Sequence, residues 1–107
     1  MRLVSQDGIY DIPYEKCLVY IYGDKKTIKV QPLGEVDSEY VFATYSTEVK
    51  AIKVMEMLRE KYAKLEIFNS VYQKGLLTEL NKELGFDEMQ NILTSIFRFP
   101  KDEEVEV

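Results

Sequence analysis

The sequence predicts an α+β domain, an antiparallel sheet of about five to six strands packed against a long helix, with additional helices after it. Three observations carry that expectation. Asp7-Gly8 and Gly23-Asp24-Lys25 each separate a pair of β-rich runs, the signature of a hairpin. An uninterrupted helical pattern starts at Tyr45, directly from the end of a strand. Phe97-Arg98-Phe99 then alternates like a strand and stops at Pro100.

Taken in order, Arg2 to Gln6 and Ile9 to Ile12 flank Asp7-Gly8, whose two turn positions are expected to take positive φ. Pro13 closes this hairpin because it lacks an N–H and holds Ile12 extended, and Tyr14-Glu15 is a connector. Lys16 to Tyr22 is dense in β-formers, and Lys26 to Gln31 alternates strictly until Pro32, which makes a second hairpin. Leu33 to Ser38 reads as a loop, and Glu39 to Tyr45 returns as a strand. With a side-chain period of two, Cys17, Val19 and Ile21 share one face of their strand, and Leu18, Tyr20 and Tyr22 the other. Both faces are apolar, so one is expected to take the helix and the other is left for later parts of the chain or for a partner.

The helix begins at Ser46 and Thr47, either of which can accept a backbone N–H as N-cap, with Glu48 placing negative charge in the first turn. At ~100° per residue, Ala51, Ile52, Val54, Met55, Leu58 and Tyr62 fall on one arc roughly 160° wide. Val49 and Met57 lie off that arc among the charges. Beyond Tyr62, Leu65, Phe68, Tyr72 and Leu76 continue at helical spacing, then Leu77, Leu80 and Leu84 on a shifted stripe. Gly75 weakens a single helix there, so one bent helix or two short ones are expected. Gly85 suits a C-terminal cap, and Asp87 with Gln90 resembles a capping box for a last short helix carrying Met89, Ile92, Leu93 and Ile96. Residues 101–107 are read as an acidic, flexible tail on a single domain spanning 1–107.

A chain of 107 residues with 46% apolar and 31% charged residues suits one globular domain that needs no metal or disulfide. The net charge of −5 opposes general nucleic-acid binding, which depends on Lys and Arg neutralising phosphates. Cys17 is the one cysteine, and its neighbours Leu18 and Val19 suggest a buried thiol on a strand rather than a reactive one. The N-terminal residues lack an apolar h-region and no apolar run approaches the ~20 residues of a membrane span, so no membrane association and a cytoplasmic location are expected.

There is no histidine, which removes the commonest general base, the usual orienting partner of a Ser or Cys nucleophile, and most zinc, copper and haem sites. No catalytic, cofactor-binding or metal-binding residues are assigned. Asp87-Glu88 is better explained as a helix start and Asp102-Glu103-Glu104 as a solvated tail. Gly23-Asp-Lys-Lys-Thr27 lacks the second glycine and the following helix of a phosphate loop, and reads as a turn. Eight tyrosines remain. Tyrosine combines large area, a polar tip and few rotors, so an interface competes with ordinary half-burial in an amphipathic sheet.

The opening Met-Arg-Leu-Val-Ser-Gln-Asp-Gly-Ile-Tyr-Asp-Ile-Pro-Tyr-Glu, the central Tyr-Ser-Thr-Glu-Val-Lys-Ala-Ile-Lys-Val-Met-Glu-Met-Leu-Arg and the closing Phe-Arg-Phe-Pro-Lys-Asp-Glu-Glu-Val-Glu-Val resemble a family of small uncharacterised proteins. Its members are carried by phages, prophages and other mobile elements of Gram-positive bacteria. The resemblance implies a context, the cytoplasm of the host cell, and no chemistry. From the residues themselves, the expected function is a non-enzymatic accessory or interaction protein working through a second sheet face. The candidate interface residues are Tyr20, Tyr22, Tyr40, Phe42 and Met57. The partner is another protein or a second copy of the chain. The alternative is a small carboxylate- and tyrosine-based enzyme or ligand-binding protein.

Overall fold

The computed structural model describes residues 1–73 and 96–107. The predicted stripe through Leu76, Leu77, Leu80 and Leu84, the cap at Gly85 and the capping box at Asp87 lie outside these residues. The elements are β1 (Arg2–Val4), β2 (Asp11–Pro13), a 3-10 turn at Tyr14–Lys16, β3 (Cys17–Ile21), β4 (Thr27–Pro32), β5 (Tyr40–Thr44), α1 (Glu48–Gln73), β6 (Ile96–Arg98) and a second 3-10 turn at Asp102–Glu104.

The fold is α+β, but the expected single sheet of five to six strands is replaced by two sheets of three, ordered β2-β1-β6 and β3-β4-β5. The division has a local cause. β1 is flanked by its hairpin partner β2 on one side and, in parallel, by β6 on the other, so neither of its edges is left for the meander. Ile96, expected on a helix, is the first residue of β6 and pairs with Arg2. Parallel pairing between segments so far apart in sequence leaves no local signal.

Both hairpins form at the predicted turns with different chemistry. In the first, Gly8 takes φ +79° and its N–H donates to Ser5 O at 2.9 Å, while Asp7 keeps negative φ and uses its carboxylate instead. That carboxylate accepts from Ser5 Oγ at 2.5 Å and from Ile9 N at 3.0 Å. A Cβ at position 8 would meet Arg98 Nη2 at 3.1 Å, a second reason for glycine there. In the second, Asp24 accepts from the N–H groups of Lys26 and Thr27, each at 2.9 Å, and from Thr27 Oγ1 at 2.6 Å. The loop that superficially resembled a phosphate cradle is filled by its own aspartate.

The helix starts where expected, with Thr47 Oγ1 accepting from Lys50 N at 3.2 Å, and it runs past Tyr62 to Gln73. Ala51, Val54, Leu58, Leu65 and Phe68 are buried at spacings of three, four and seven, which is the core-facing stripe. Met55 and Tyr62 sit at its border, and Ile52, on the edge of the predicted arc, is exposed. Ala51, Val54 and Leu58 close on Leu3, Ile28, Val30, Phe42, Ala43, Tyr45, Phe97, Phe99 and Val105 in one cluster.

The acidic segment after Pro100 belongs to this cluster. Val105 is buried, and Asp102 reaches the start of α1, where its Oδ1 accepts from Ser46 N at 2.7 Å and from Ser46 Oγ at 3.0 Å. Lys50 Nζ donates to Asp102 O at 2.8 Å and lies 3.4 Å from Oδ2. The Ser46 N–H is the largest influence holding the Asp102 carboxyl below its ordinary pKa, with Lys50 adding to it.

Two outcomes are expected. Phe99→Ala, which empties a fully buried site between Phe42 and Phe97, is expected to lower the unfolding free energy by about 3–5 kcal/mol, measured by urea titration. Because the folded pKa of Asp102 is depressed, the unfolded chain binds more protons as pH falls through the carboxylate range, and the contribution of this residue is lost there. Asp102→Asn is therefore expected to lower the melting temperature at neutral pH and to flatten its decline between neutral and acid pH.

Candidate functional site

The five candidate interface residues separate into three places. The cause is a register shift in β5. Ile28 faces Ala43 and Lys29 faces Val41, so Phe42 is an extra residue opposite the Ile28–Lys29 step. A bulge of this kind breaks the period of two that face assignment rests on. Tyr40, Phe42 and Ala43 consequently turn toward the interior, and Val41 turns out.

Tyr20 and Tyr22 remain together on the outward face of the meander. Tyr20, Lys29 and Val41 form one row across β3, β4 and β5, with Leu18 on β3 to one side and Tyr22, just past the end of β3, to the other. Leu18 is 54% exposed, Tyr22 45% and Val41 48%. Lys29 Nζ stands 3.5 Å from the centre of the Tyr22 ring and 3.4 Å from Glu39 Oε2, which fixes the ring between a cation and its own strand. The Tyr20 hydroxyl is inaccessible to water and closes no good hydrogen bond among the described residues. The neighbouring Glu39 carboxylate, which attracts the phenol proton, and desolvation push the Tyr20 pKa up to about 12.

The β3 side of this face ends in an open edge. Lys16 O and Tyr22 N, at the two ends of β3, both bond toward β4, so the backbone groups of Val19 and Ile21 point the other way. No strand pairs with them among the described residues. The strand, Cys-Leu-Val-Tyr-Ile, has no Pro, charge or bulge of the kind that blunts an edge. Cys17, at its start, has its thiol pKa raised to about 11, chiefly by burial, which makes it a poor nucleophile.

Tyr40 and Phe42 belong to a second feature that the sequence reading did not assemble. The Tyr10 ring lies 5.1 Å from Tyr40 and stacks 5.8 Å from Phe42, and Phe42 in turn meets Phe99 edge-on. The rings of Tyr10, Tyr40 and Phe42, with Asp11, Ile12, Pro32 and Glu35, line an open cleft of about 310 Å³ between the β1–β2 hairpin and the meander. Phe42 is 2% exposed and forms its floor, whereas Tyr10 is 40% exposed at its mouth. Asp11 Oδ1 accepts from Arg2 Nε at 2.7 Å. The available signals were Tyr10-Asp11 just after a turn and an acidic loop, Leu33 to Glu39, with no basic residue.

Met57 is exposed on α1, apart from both features. No three His, Cys, Asp or Glu side chains gather to hold a metal ion among the described residues, and no described helix is long and apolar enough to cross a membrane. No protein-family model, curated protein or solved structure matches the chain.

The orphaned hydroxyl makes a direct check of the outward face. Tyr20→Phe removes a buried oxygen that lacks a good partner and is expected to raise the urea midpoint or leave it in place, while the tyrosine absorbance titration of the folded protein loses its step at about pH 12.

Proposed function

We propose that this protein is a non-enzymatic interaction protein that associates through the outward face of the β3-β4-β5 meander and its open β3 edge, with another protein or a second copy of itself. One observation carries the reading. Leu18, Tyr22 and Val41 lie half exposed on one face, around a Lys29 cation already held by Tyr22 and Glu39, and no described element covers them. Exposed apolar groups gathered on one sheet face mark interaction surfaces, and aromatic residues anchor them. The adjacent edge adds backbone donors and acceptors that a partner strand satisfies without any particular side-chain sequence. The setting proposed is the one the resemblance implies, a mobile element working in the cytoplasm of its host.

A second reading is favoured by the aromatic cleft. There Asp11 and Tyr40 converge from two sheets and Tyr10 and Glu35 from the loops beside them, the arrangement of a small ligand-binding site rather than of a flat docking face.

The leading reading is tested by Leu18→Glu and Tyr22→Ala, both at exposed positions. Each is expected to weaken association by about tenfold or more, read by sedimentation equilibrium for self-association and by crosslinked capture from host cells for a partner, with the melting temperature unchanged. A wild-type chain that stays monomeric at high micromolar concentration and captures nothing overturns it.

A further inference from the structure

We infer that the cleft bounded by Tyr10, Tyr40 and Phe42 is a binding site for an organic cation, an alkylammonium or guanidinium group on an apolar stem. This rests on the second reading, that the cleft is a ligand site, and adds the chemistry of its ligand. The ring faces supply the first half of the argument. Tyr10 is held against both Tyr40 and Phe42, so the three form one fixed aromatic wall with its outer member open to solvent. Aromatic faces carry negative potential and attract cations, and the apolar floor at Ile12, Pro32 and Phe42 suits the stem that carries one.

Charge supplies the second half. Asp11 and Glu35 line the cleft from opposite sides, and no Lys or Arg lines it. One Asp11 oxygen is occupied by Arg2, but the Glu35 carboxylate has no ion-pair partner among the described residues. The loop bearing Glu35 also carries Asp37 and Glu39 and no basic residue, in a chain of net charge −5. An anionic ligand is opposed by every one of these groups.

The loop is shaped to hold Glu35 at the cleft. Gly34 takes φ +87° and Asp37 φ +68°, so two of its residues are left-handed, and the second is not a glycine. The Glu35 N–H donates to Pro32 O and its carbonyl accepts from Gln31 Nε2, each at 3.3 Å. The backbone on both sides of the carboxylate is thereby tied to the end of β4. This places the residue that carries the charge beside the aromatic faces before a ligand arrives, which lowers the ordering cost of binding.

The test is a titration followed by amide chemical shifts on the intact chain, with two cationic probes, n-butylammonium and the peptide acetyl-Gly-Arg-Gly-amide. Both are expected to shift Tyr10, Asp11, Glu35 and Tyr40. Glu35→Gln, a change at an exposed side chain, is expected to weaken binding about fivefold, the worth of one exposed ion pair, and raised salt to do the same. Tyr10→Leu is expected to weaken it further, and its folding is checked by the same spectra. Shifts with the peptide alone assign the cation to a protein side chain, and shifts with both admit a free amine; either supports the site. Flat titrations overturn the proposal, as does an undiminished response in Glu35→Gln. Equal binding of acetyl-Gly-citrulline-Gly-amide, or of pentanoate, keeps the cleft as a ligand site and overturns its assignment to cations. Tyr22→Ala, at the Thr27 end of the ladder, is expected to leave all these titrations unchanged, so loss of the outward-face reading is seen separately.

Discussion

Gln6 joins the two sheets through both its backbone and its side chain. Gln6, just beyond β1, donates its backbone N–H to Phe42 O at 2.7 Å, and its side-chain amide then takes over where a next residue's peptide group would have been. Oε1 accepts from Thr44 N at 3.1 Å and Nε2 donates to Thr44 O at 3.3 Å, so Thr44 sees a donor and an acceptor as it would across a ladder. A primary amide is the side-chain group able to imitate a peptide in this way, because it carries both functions in one plane. Nε2 also donates to Pro100 O at 3.0 Å, which brings the C-terminal segment to the same point. The N-terminal hairpin, the meander and the C-terminal segment meet there, and the buried cluster of Leu3, Phe42, Phe97 and Phe99 lies beneath the junction.

The fate of the acidic C-terminal segment follows from that junction. Pro100 O accepts a second hydrogen bond from the Tyr45 hydroxyl at 2.8 Å, and burial together with Asp102 and Glu104 raises the pKa of that phenol, keeping it a donor. With Pro100 fixed on two sides, the next residues pass the start of α1, and Asp102 binds the backbone and hydroxyl of Ser46, just before the Thr47 cap. The favourable field of the helix N-terminus acts on that carboxylate as it would on a local one. Glu104 Oε1 accepts from Lys101 N at 3.1 Å, which closes the turn that carries Val105 into the core. An acidic composition at a chain end therefore coexists with defined structure, since two of its carboxylates have backbone donors to bind.

What was legible in the sequence was what local chemistry decides. The hairpin turns, the meander, the strand feeding α1 and the buried stripe through Ala51, Val54 and Leu58 all depend on signals within a few residues. The pairing of β1 with β6 depends on contacts across most of the chain, and the role of Gln6 on where Thr44 lies in space; neither leaves a pattern. The face assignment failed at one residue. Phe42 adds a step to β5, so counting by twos from Tyr40 places Ala43 outside, where the structure has it buried. The same slip grouped Tyr40 and Phe42 with Tyr20 and Tyr22, and it hid the cleft, whose acidic members, Asp11 and Glu35, come from segments with no sequence relation.

The bulge has a consequence for how the two surfaces relate. Without it, β5 would present Tyr40 and Phe42 to one side in strict alternation with Val41 and Ala43 to the other, and Ala43 could not sit opposite Ile28 in the core. With it, two neighbouring residues turn inward together: Ala43 fits against the meander's buried face, while Phe42 leans toward Tyr10 and Phe99. Val41 is left on the outward face, beside Lys29 and Tyr20, with Thr44 opposite Thr27 further along the strand. One strand thus serves a flat apolar face and a concave aromatic one without either drawing residues from the other. A change at Tyr22, whose N–H donates to Thr27 O at the far end of the ladder from Gln31, acts on groups remote from Tyr10 and Glu35, which is the physical basis for expecting the two surfaces to respond independently.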